Sequence, residues 1–251
     1  MTKIPTVSIV MPAYNAQRHI EKAIRSVMAQ TVEDWELLVL DDGSNDDTCT
    51  IVERLMAQEP RILLLRNERN LGVAQTRNRG LERCCGEFVA LLDSDDVWYP
   101  EKLERQIALL RKSGAALCCC AYDIIGDDGA PVKASYDVPD QVDFDTLLKE
   151  NVICCSTVVL RGDVARNFRF DAGYYHEDYV LWLQLLQQGY RIVGCLQVLA
   201  AWRLSQGSRS YNKLKSAKNR WIIYREYLRL PLLKCIRAFC AYAVAGLRKY
   251  H

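Results

Sequence analysis

Three carboxylates crowd the end of one apolar run. Phe88 to Leu92 is continuously hydrophobic and breaks into Asp93, Ser94, Asp95 and Asp96, before Pro100 opens a new segment. A short unbroken apolar run reads as a strand buried on both faces. Carboxylates at its end must surface, because unpaired anions are not tolerated in a desolvated interior. They also repel one another, and a divalent cation relieves that repulsion. Oxygen-only ligands suit a hard ion, Mg²⁺ or Mn²⁺, which then completes its shell with water and a substrate diphosphate. The plain alternative is an acidic turn after a strand, and these residues alone leave both readings open.

A second stretch, Tyr174 to Gly189, places two more acids together. Tyr179, Trp182, Leu185 and Leu186 keep helical spacing, and Gly189 suits the C-terminal end of that helix. Glu177 and Asp178 then fall in the first turn, where the helix dipole favours acids whatever their function. Trp182 is expected in the core, with stacking on a sugar as the other reading. His176 beside the pair reads as a hydrogen-bonding neighbour.

The elements that must position these groups alternate. Val7 to Met11 is a β-branched run that ends in Pro12, Ala13, Tyr14 and Asn15, with Asn15 a candidate cap for the helix through Ile20, Ala23, Ile24 and Val27. Trp35 to Leu40 is a second strand, ending in Asp41 and Asp42. A helix from about Asp46 through Met56, a strand over Arg61 to Leu65, a turn at Asn70-Leu71-Gly72 and a helix from Val73 to Arg83 lead to the strand at Phe88. Strands alternating with helices predict a doubly wound, mostly parallel α/β sheet, which binds ligands at the carboxyl ends of its strands. Three such ends carry polar, ligand-type residues. A dinucleotide-binding glycine fingerprint is excluded, because the first turn reads PAYNAQ, and no P-loop occurs.

Four stretches in order, VSIVMPAYN, LLVLDDGSNDDT, NLGVAQTRNRG and FVALLDSDDVWYPEKL, resemble the glycosyltransferases of family 2, which are inverting enzymes of the GT-A fold. The resemblance is close over roughly the first 110 residues. It implies that Pro12, Ala13, Tyr14, Asn15, Asp41 and Asp42 form the nucleobase side of a nucleotide-sugar site. It implies that Arg77 approaches the nucleotide, and that Asp93, Ser94 and Asp95 are the metal and nucleotide motif. Either Asp95 or Asp96 ligates the metal, since members differ. NVICCSTVVLR, EDYVLWLQLLQQGY and WRLSQGSRS extend the resemblance, more weakly, to bacterial members that build teichuronic acid, capsule or lipopolysaccharide. On that resemblance Asp178 is the catalytic base and Glu177 its partner, and the activity is hexosyl or N-acetylhexosaminyl transfer to a glycan acceptor, including lipid-linked ones. Rival readings are a polyprenyl-phosphate sugar synthase and a silent nucleotide-sugar-binding scaffold. UDP is the default donor carrier.

In the second half, a helix is expected from Pro100 to Lys112, a strand from Ala115 to Ala121, a hairpin turn at Gly126-Asp127-Asp128-Gly129, and a buried strand within Asn151 to Leu160. Residues 1–210 are read as the catalytic domain, 1–112 holding the donor and 113–210 the acceptor, with 211–251 a basic helical appendage. The chain carries 33 Lys/Arg against 31 Asp/Glu, but from Arg203 onward the count is 12 against one, Glu226. Arg203 to Ser210 is expected to be a flexible basic loop, and the resemblance implies that it closes over the donor diphosphate, with Arg203 or Arg209 contacting phosphate. Helices are expected from Asn212 to Leu230 and, after Pro231, from Leu232 to Lys249. The last is too short and charged to span a bilayer. It suits either an anionic membrane surface or a packed helix with a solvated basic face. Nucleic acid is not an expected partner, because no binding module accompanies the charge. Eleven cysteines without metal-site spacing read as apolar fillers in a reducing cytosol. No signal peptide or membrane span is visible, so a cytoplasmic protein, peripheral on the inner membrane if bound at all, is expected.

Overall fold

The computed structural model describes residues 4–204 and 213–250. In the first half, strands and helices alternate: β1 (Val7–Ala13), α1 (Ile20–Met28), β2 (Trp35–Asp41), α2 (Thr48–Met56), β3 (Ile62–Arg66), α3 (Val73–Arg83) and β4 (Phe88–Leu91). β3, β2, β1 and β4 lie side by side, all parallel. The continuous apolar runs account for this, since β1 and β4 are buried on both faces. One face packs Val10, Leu38, Leu40 and Leu91, the other Ile9, Leu37, Val39 and Ala90. α3 approaches β1 closely at Gly80, where a Cβ would come within 2.5 Å of the Val10 side chain.

The second half contributes β5 (Val97–Trp98), α4 (Lys102–Ser113), β6 (Leu117–Ile125), β7 (Pro131–Tyr136), β8 (Gln141–Val142) and α5 (Phe144–Lys149). A 3₁₀ turn at Cys155–Thr157 follows, then β9 (Val159–Arg161), α6 (Gly162–Ala165), α7 (Glu177–Gln187) and β10 (Ile192–Arg203). Among the described residues the sheet has ten strands. Its main path runs β3-β2-β1-β4-β9-β6-β10-β5, with β7 on β6 and β8 on β10. β9 is antiparallel to both β4 and β6, and so joins the parallel half to a β6–β10 parallel pair.

Several boundaries differ from expectation. Asn15 does not cap α1; it adopts φ +48° and its Oδ1 accepts the Asn45 amide at 2.9 Å, tying the first strand end to the second. α4 begins at Lys102 rather than Pro100, because β5 occupies the residues just before it. The buried stretch before Leu160 is mostly irregular, with only Val159–Arg161 in a strand. The hairpin turn at Gly126 to Gly129 forms as expected, with the Gly126 amide donating to Ala130 O at 2.8 Å.

The C-terminal helices expected from the sequence pack on the domain. α8 (Lys213–Ile222) passes into a π-helical turn (Ile223–Tyr227), and α9 (Leu232–Tyr250) follows. Ile223, Tyr224 and Cys235 are fully buried in the same core as α7. The Arg220 guanidinium stacks 3.5 Å over Tyr179, the Tyr179 hydroxyl donates to Leu147 O at 2.8 Å, and the Tyr224 hydroxyl donates to Leu148 O. Those bonds bind α7, α5 and the tail together.

Candidate active site

A cleft of ≈ 910 Å³ opens where the parallel strands end. Pro12, Ala13 and Tyr14 line one end of it, at the close of β1. Beside them, Asp42, whose amide donates to Ala13 O at 2.8 Å, organises the loop before α3. Its Oδ1 accepts from the Leu71 amide at 2.8 Å and from Asn67 Nδ2 at 2.7 Å, and its Oδ2 accepts from the Gly72 amide at 2.9 Å. Gly72 sits at φ +85°, a conformation open to glycine. Asp41 and Asn15 do not line the cleft; Asp41 is buried in its own turn and accepts from the Ser44 amide at 3.3 Å.

The centre is built on Arg77. α3 carries it to the strand ends, where it is 4 % exposed. Its Nη2 donates to Asp93 Oδ1 at 2.5 Å and its Nη1 to Glu177 Oε1 at 2.7 Å. Burial opposes the cation, but Asp93 and Glu177 outweigh it and hold Arg77 charged well beyond its ordinary range. Both acids line the cleft, but Glu177 is buried and bonded to Arg77, whereas Asp178, one residue on, is half-buried. The first turn of α7 thus sets a buried, Arg77-bonded acid beside a half-buried one on the same cleft wall.

Asp93, Ser94 and Asp95 line the cleft, but Asp96 does not. The Asp96 carboxylate is 1 % exposed and turned inward: Oδ2 lies 2.5 Å from the Ser156 hydroxyl and Oδ1 accepts the Arg203 amide at 2.8 Å. Burial, then Asp95 and Asp93, push its carboxyl well above the usual range, against the hydrogen bonds from Ser156 and Arg203. Burial and the adjacent Asp93 also push Asp95 up to about 6. Of the three acids of this turn, Asp93 and Asp95 line the cleft, and carboxylate oxygens there could serve a hard divalent cation.

Arg203 departs from expectation. It is the last residue of β10, 1 % exposed, and not part of a loop. Its Nε donates to Asp95 O at 2.7 Å, and its Nη1 to Gly126 O at 2.6 Å and Asp127 O at 3.1 Å. These bonds clamp the acidic turn from below. Arg209 lies outside the described residues. Trp182 is fully buried against Phe170, so it belongs to the core.

Sequence reasoning missed two contributors. Ser156 accepts the Asp93 amide at 3.0 Å while its hydroxyl meets Asp96, and its carbonyl accepts Trp98 Nε1 at 2.7 Å. The only sequence trace of it is a polar residue inside an apolar run. Asn219 of α8 reaches the cleft wall alongside Tyr174 and Tyr175; nothing local marks it, because α8 and α7 meet only in the fold.

A mostly parallel sheet with a carboxylate pair at one strand end and an acid facing it from a helix N-terminus defines a GT-A-type group transferase. The comparisons agree. The family model for glycosyl transferase family 2 matches residues 8–166. The chain is 35 % identical over 245 residues to TuaG of Bacillus subtilis, named for teichuronic acid biosynthesis, covering 98 % of this chain and 97 % of that protein. It is 38 % identical over 245 residues to WfgD of Escherichia coli, a UDP-Glc:α-D-GlcNAc-diphosphoundecaprenol β-1,3-glucosyltransferase, covering 97 % and 94 %. Staphylococcus aureus TarS residues 1–349, solved with UDP-GlcNAc, share the fold at TM-score 0.71 and 20 % identity, over 95 % of this chain and 71 % of that one. The mannosyltransferase PcManGT of Pyrobaculum calidifontis, solved with GDP-Man and Mn²⁺, does so at TM-score 0.71 and 17 % identity, over 96 % and 70 %. The chain belongs to glycosyltransferase family 2 and is a glycosyltransferase.

Proposed function

We propose that this enzyme transfers a sugar, with inversion, from a UDP-linked donor to a hydroxyl of a glycan acceptor carried on a lipid diphosphate, in the synthesis of a bacterial cell-envelope polysaccharide. The observation that carries the reading is that Asp93, Asp95, Glu177 and Asp178 line one cleft, with the buried Glu177 carboxylate already bonded to Arg77 and Asp178 half-buried beside it. The relatives' names support the substrate class: WfgD uses UDP-Glc and a GlcNAc-diphosphoundecaprenol acceptor.

In this reading the nucleobase lies between Pro12–Tyr14 and the loop held by Asp42, and the diphosphate points to Asp93 and Asp95. These two carboxylates would hold Mn²⁺ or Mg²⁺, which neutralises charge on the leaving diphosphate. Asp178 takes the proton from the acceptor hydroxyl as general base. The acceptor oxygen then bonds to the anomeric carbon as the bond from that carbon to the diphosphate oxygen breaks, its electron pair leaving with the nucleotide. One displacement from the opposite face inverts the centre. Arg77 keeps Asp93 and the start of α7 in fixed relation, so donor and base meet in register.

The test is a panel of UDP-, GDP- and dTDP-sugars with Mn²⁺ or Mg²⁺, reading donor binding, donor hydrolysis and transfer to a GlcNAc-diphosphate lipid. Asp178→Asn should bind donor as the wild type does and lose transfer. Donor affinity falling in parallel with turnover would remove Asp178 from the role of base, and a protein that binds donor but never turns it over would be a scaffold.

A further inference from the structure

α9 is apolar on two opposite faces, and the protein covers only one. Cys235 and Ala238 are buried and Phe239 and Tyr242 half-buried, at three- and four-residue spacing, against the domain. On the opposite side Leu233, Ile236, Cys240 and Val244 repeat the same spacing and are exposed, Leu233 61 %, Ile236 45 % and Val244 50 %, with Cys240 and Val244 also bordering a cleft of ≈ 780 Å³ whose domain wall carries Lys133, Asp137, Lys149 and Glu150. From Leu233 to Val244 the stripe is roughly 16 Å long. A helix apolar all round is ordinarily buried all round, so this second stripe calls for a cover.

The surroundings of the stripe identify the cover. Arg237 is exposed beside it and Lys234 flanks it, with Asp145 4.0 Å from the Lys234 ammonium as its facing acid. Over 213–251 ten Lys/Arg stand against one acid, Glu226. Among the described residues no helix is long and apolar enough to cross a membrane. An apolar stripe bordered by cations, on a helix that does not span, matches the boundary between headgroups and acyl chains of an anionic bilayer.

We propose that the outer face of α9, centred on Leu233, Ile236, Cys240 and Val244 and flanked by Lys234 and Arg237, docks this enzyme on an anionic lipid surface. The inference stands without the proposed reaction, since it rests on a surface remote from the carboxylates, and its test needs no turnover.

The experiment is flotation of the full chain with vesicles of phosphatidylcholine alone and of phosphatidylcholine mixed with phosphatidylglycerol. A second, local readout uses an environment-sensitive fluorophore on Cys240 in a Cys85→Ser background. Flotation with the anionic vesicles only, and a blue shift of the Cys240 probe, are expected. Leu233→Glu with Ile236→Glu should lower vesicle affinity by about tenfold or more, because both lose their place in the acyl boundary. Lys234→Gln with Arg237→Gln should lower it by about fivefold per charge. Melting temperatures show that each variant is folded. Absence of flotation, equal binding to both vesicle types, or unchanged binding by a folded Leu233→Glu/Ile236→Glu protein would overturn the proposal. So would concentration-dependent dimerisation abolished by that pair without any vesicle binding, which would assign the stripe to a second copy of the chain.

Discussion

Arg77 donates to Glu177 at 2.7 Å across one hundred residues of chain, with both side chains buried. The same guanidinium holds Asp93, so one residue of α3 links the acidic turn after β4 to the first turn of α7. The two halves of the cleft are thereby held as a single charged unit.

Breaking that unit should be costly. Arg77→Met leaves Glu177 buried without its counter-charge, a loss of about 3–5 kcal/mol. Arg77→Lys should fall between, because an ammonium cannot serve both carboxylates with the planar fork. Glu177→Gln keeps an acceptor for Nη1 and should cost less than Arg77→Met. Urea denaturation of the three variants checks the order, and a stability for Arg77→Met equal to wild type would contradict it.

Asp95 and Asp96 should respond differently to the same change. Asp96 is buried and turned away from the cleft, and an asparagine there can accept the Arg203 amide and donate to Ser156. Asp96→Asn is therefore expected to keep the fold and metal-dependent donor binding. Asp95→Asn should lose most of that binding while melting normally. Calorimetry with donor and Mn²⁺ separates them, and equal losses would place Asp96 on the metal after all.

Lys102 gives a pH signature away from the cleft. It is fully buried, its ammonium lies 4.1 Å from the Trp98 ring centre without a hydrogen-bond partner, and burial pushes it down to about 8. Between about pH 8 and the ordinary lysine value the unfolded chain binds more protons than the folded one, so this group makes stability rise with pH across that window. Below it, at neutral pH, the full penalty applies, about 3 kcal/mol. Lys102→Met should therefore be more stable than wild type at pH 7, with the difference shrinking by pH 10. Denaturant midpoints at the two pH values check this, and a constant difference would contradict it.

Asp42 should act through the loop it holds. Asp42→Ala removes the acceptor of the Leu71 amide and leaves the Gly72 amide only Asn70 Oδ1 and Asn67 Nδ2 only Thr76 Oγ1, a cost of about 1–3 kcal/mol. Donor affinity should drop further than stability alone explains, since the loop forms one wall of the cleft. Comparing donor affinity with the denaturation midpoint for Asp42→Ala and Asp42→Asn tests this; loss of stability with unchanged affinity would confine Asp42 to a folding role.

The alternation of strands and helices was legible in the residues because continuous apolar runs and helical spacing are local properties. α3 runs from Val73 to Arg83 as expected, and the runs ending at Ala13, Asp41 and Leu91 became parallel neighbours. The same locality put Asp42, Asp93 and Asp95 at the strand ends, where a parallel sheet opens its cleft. What stayed hidden depended on direction and on distant partners. Glu177 and Asp178 are adjacent in sequence but differ by about 100° around the helix, and the partner that locks Glu177, Arg77, lies a hundred residues earlier. Asp95 and Asp96 part in the same way, because Ser156 and Arg203 converge on Asp96 from other elements. Charge alone placed Arg203 in a loop, whereas pairing of β10 with β6 drew it into a strand beneath the acidic turn. The two faces of α9 share one sequence pattern, and packing against the domain chose which of them stays outside.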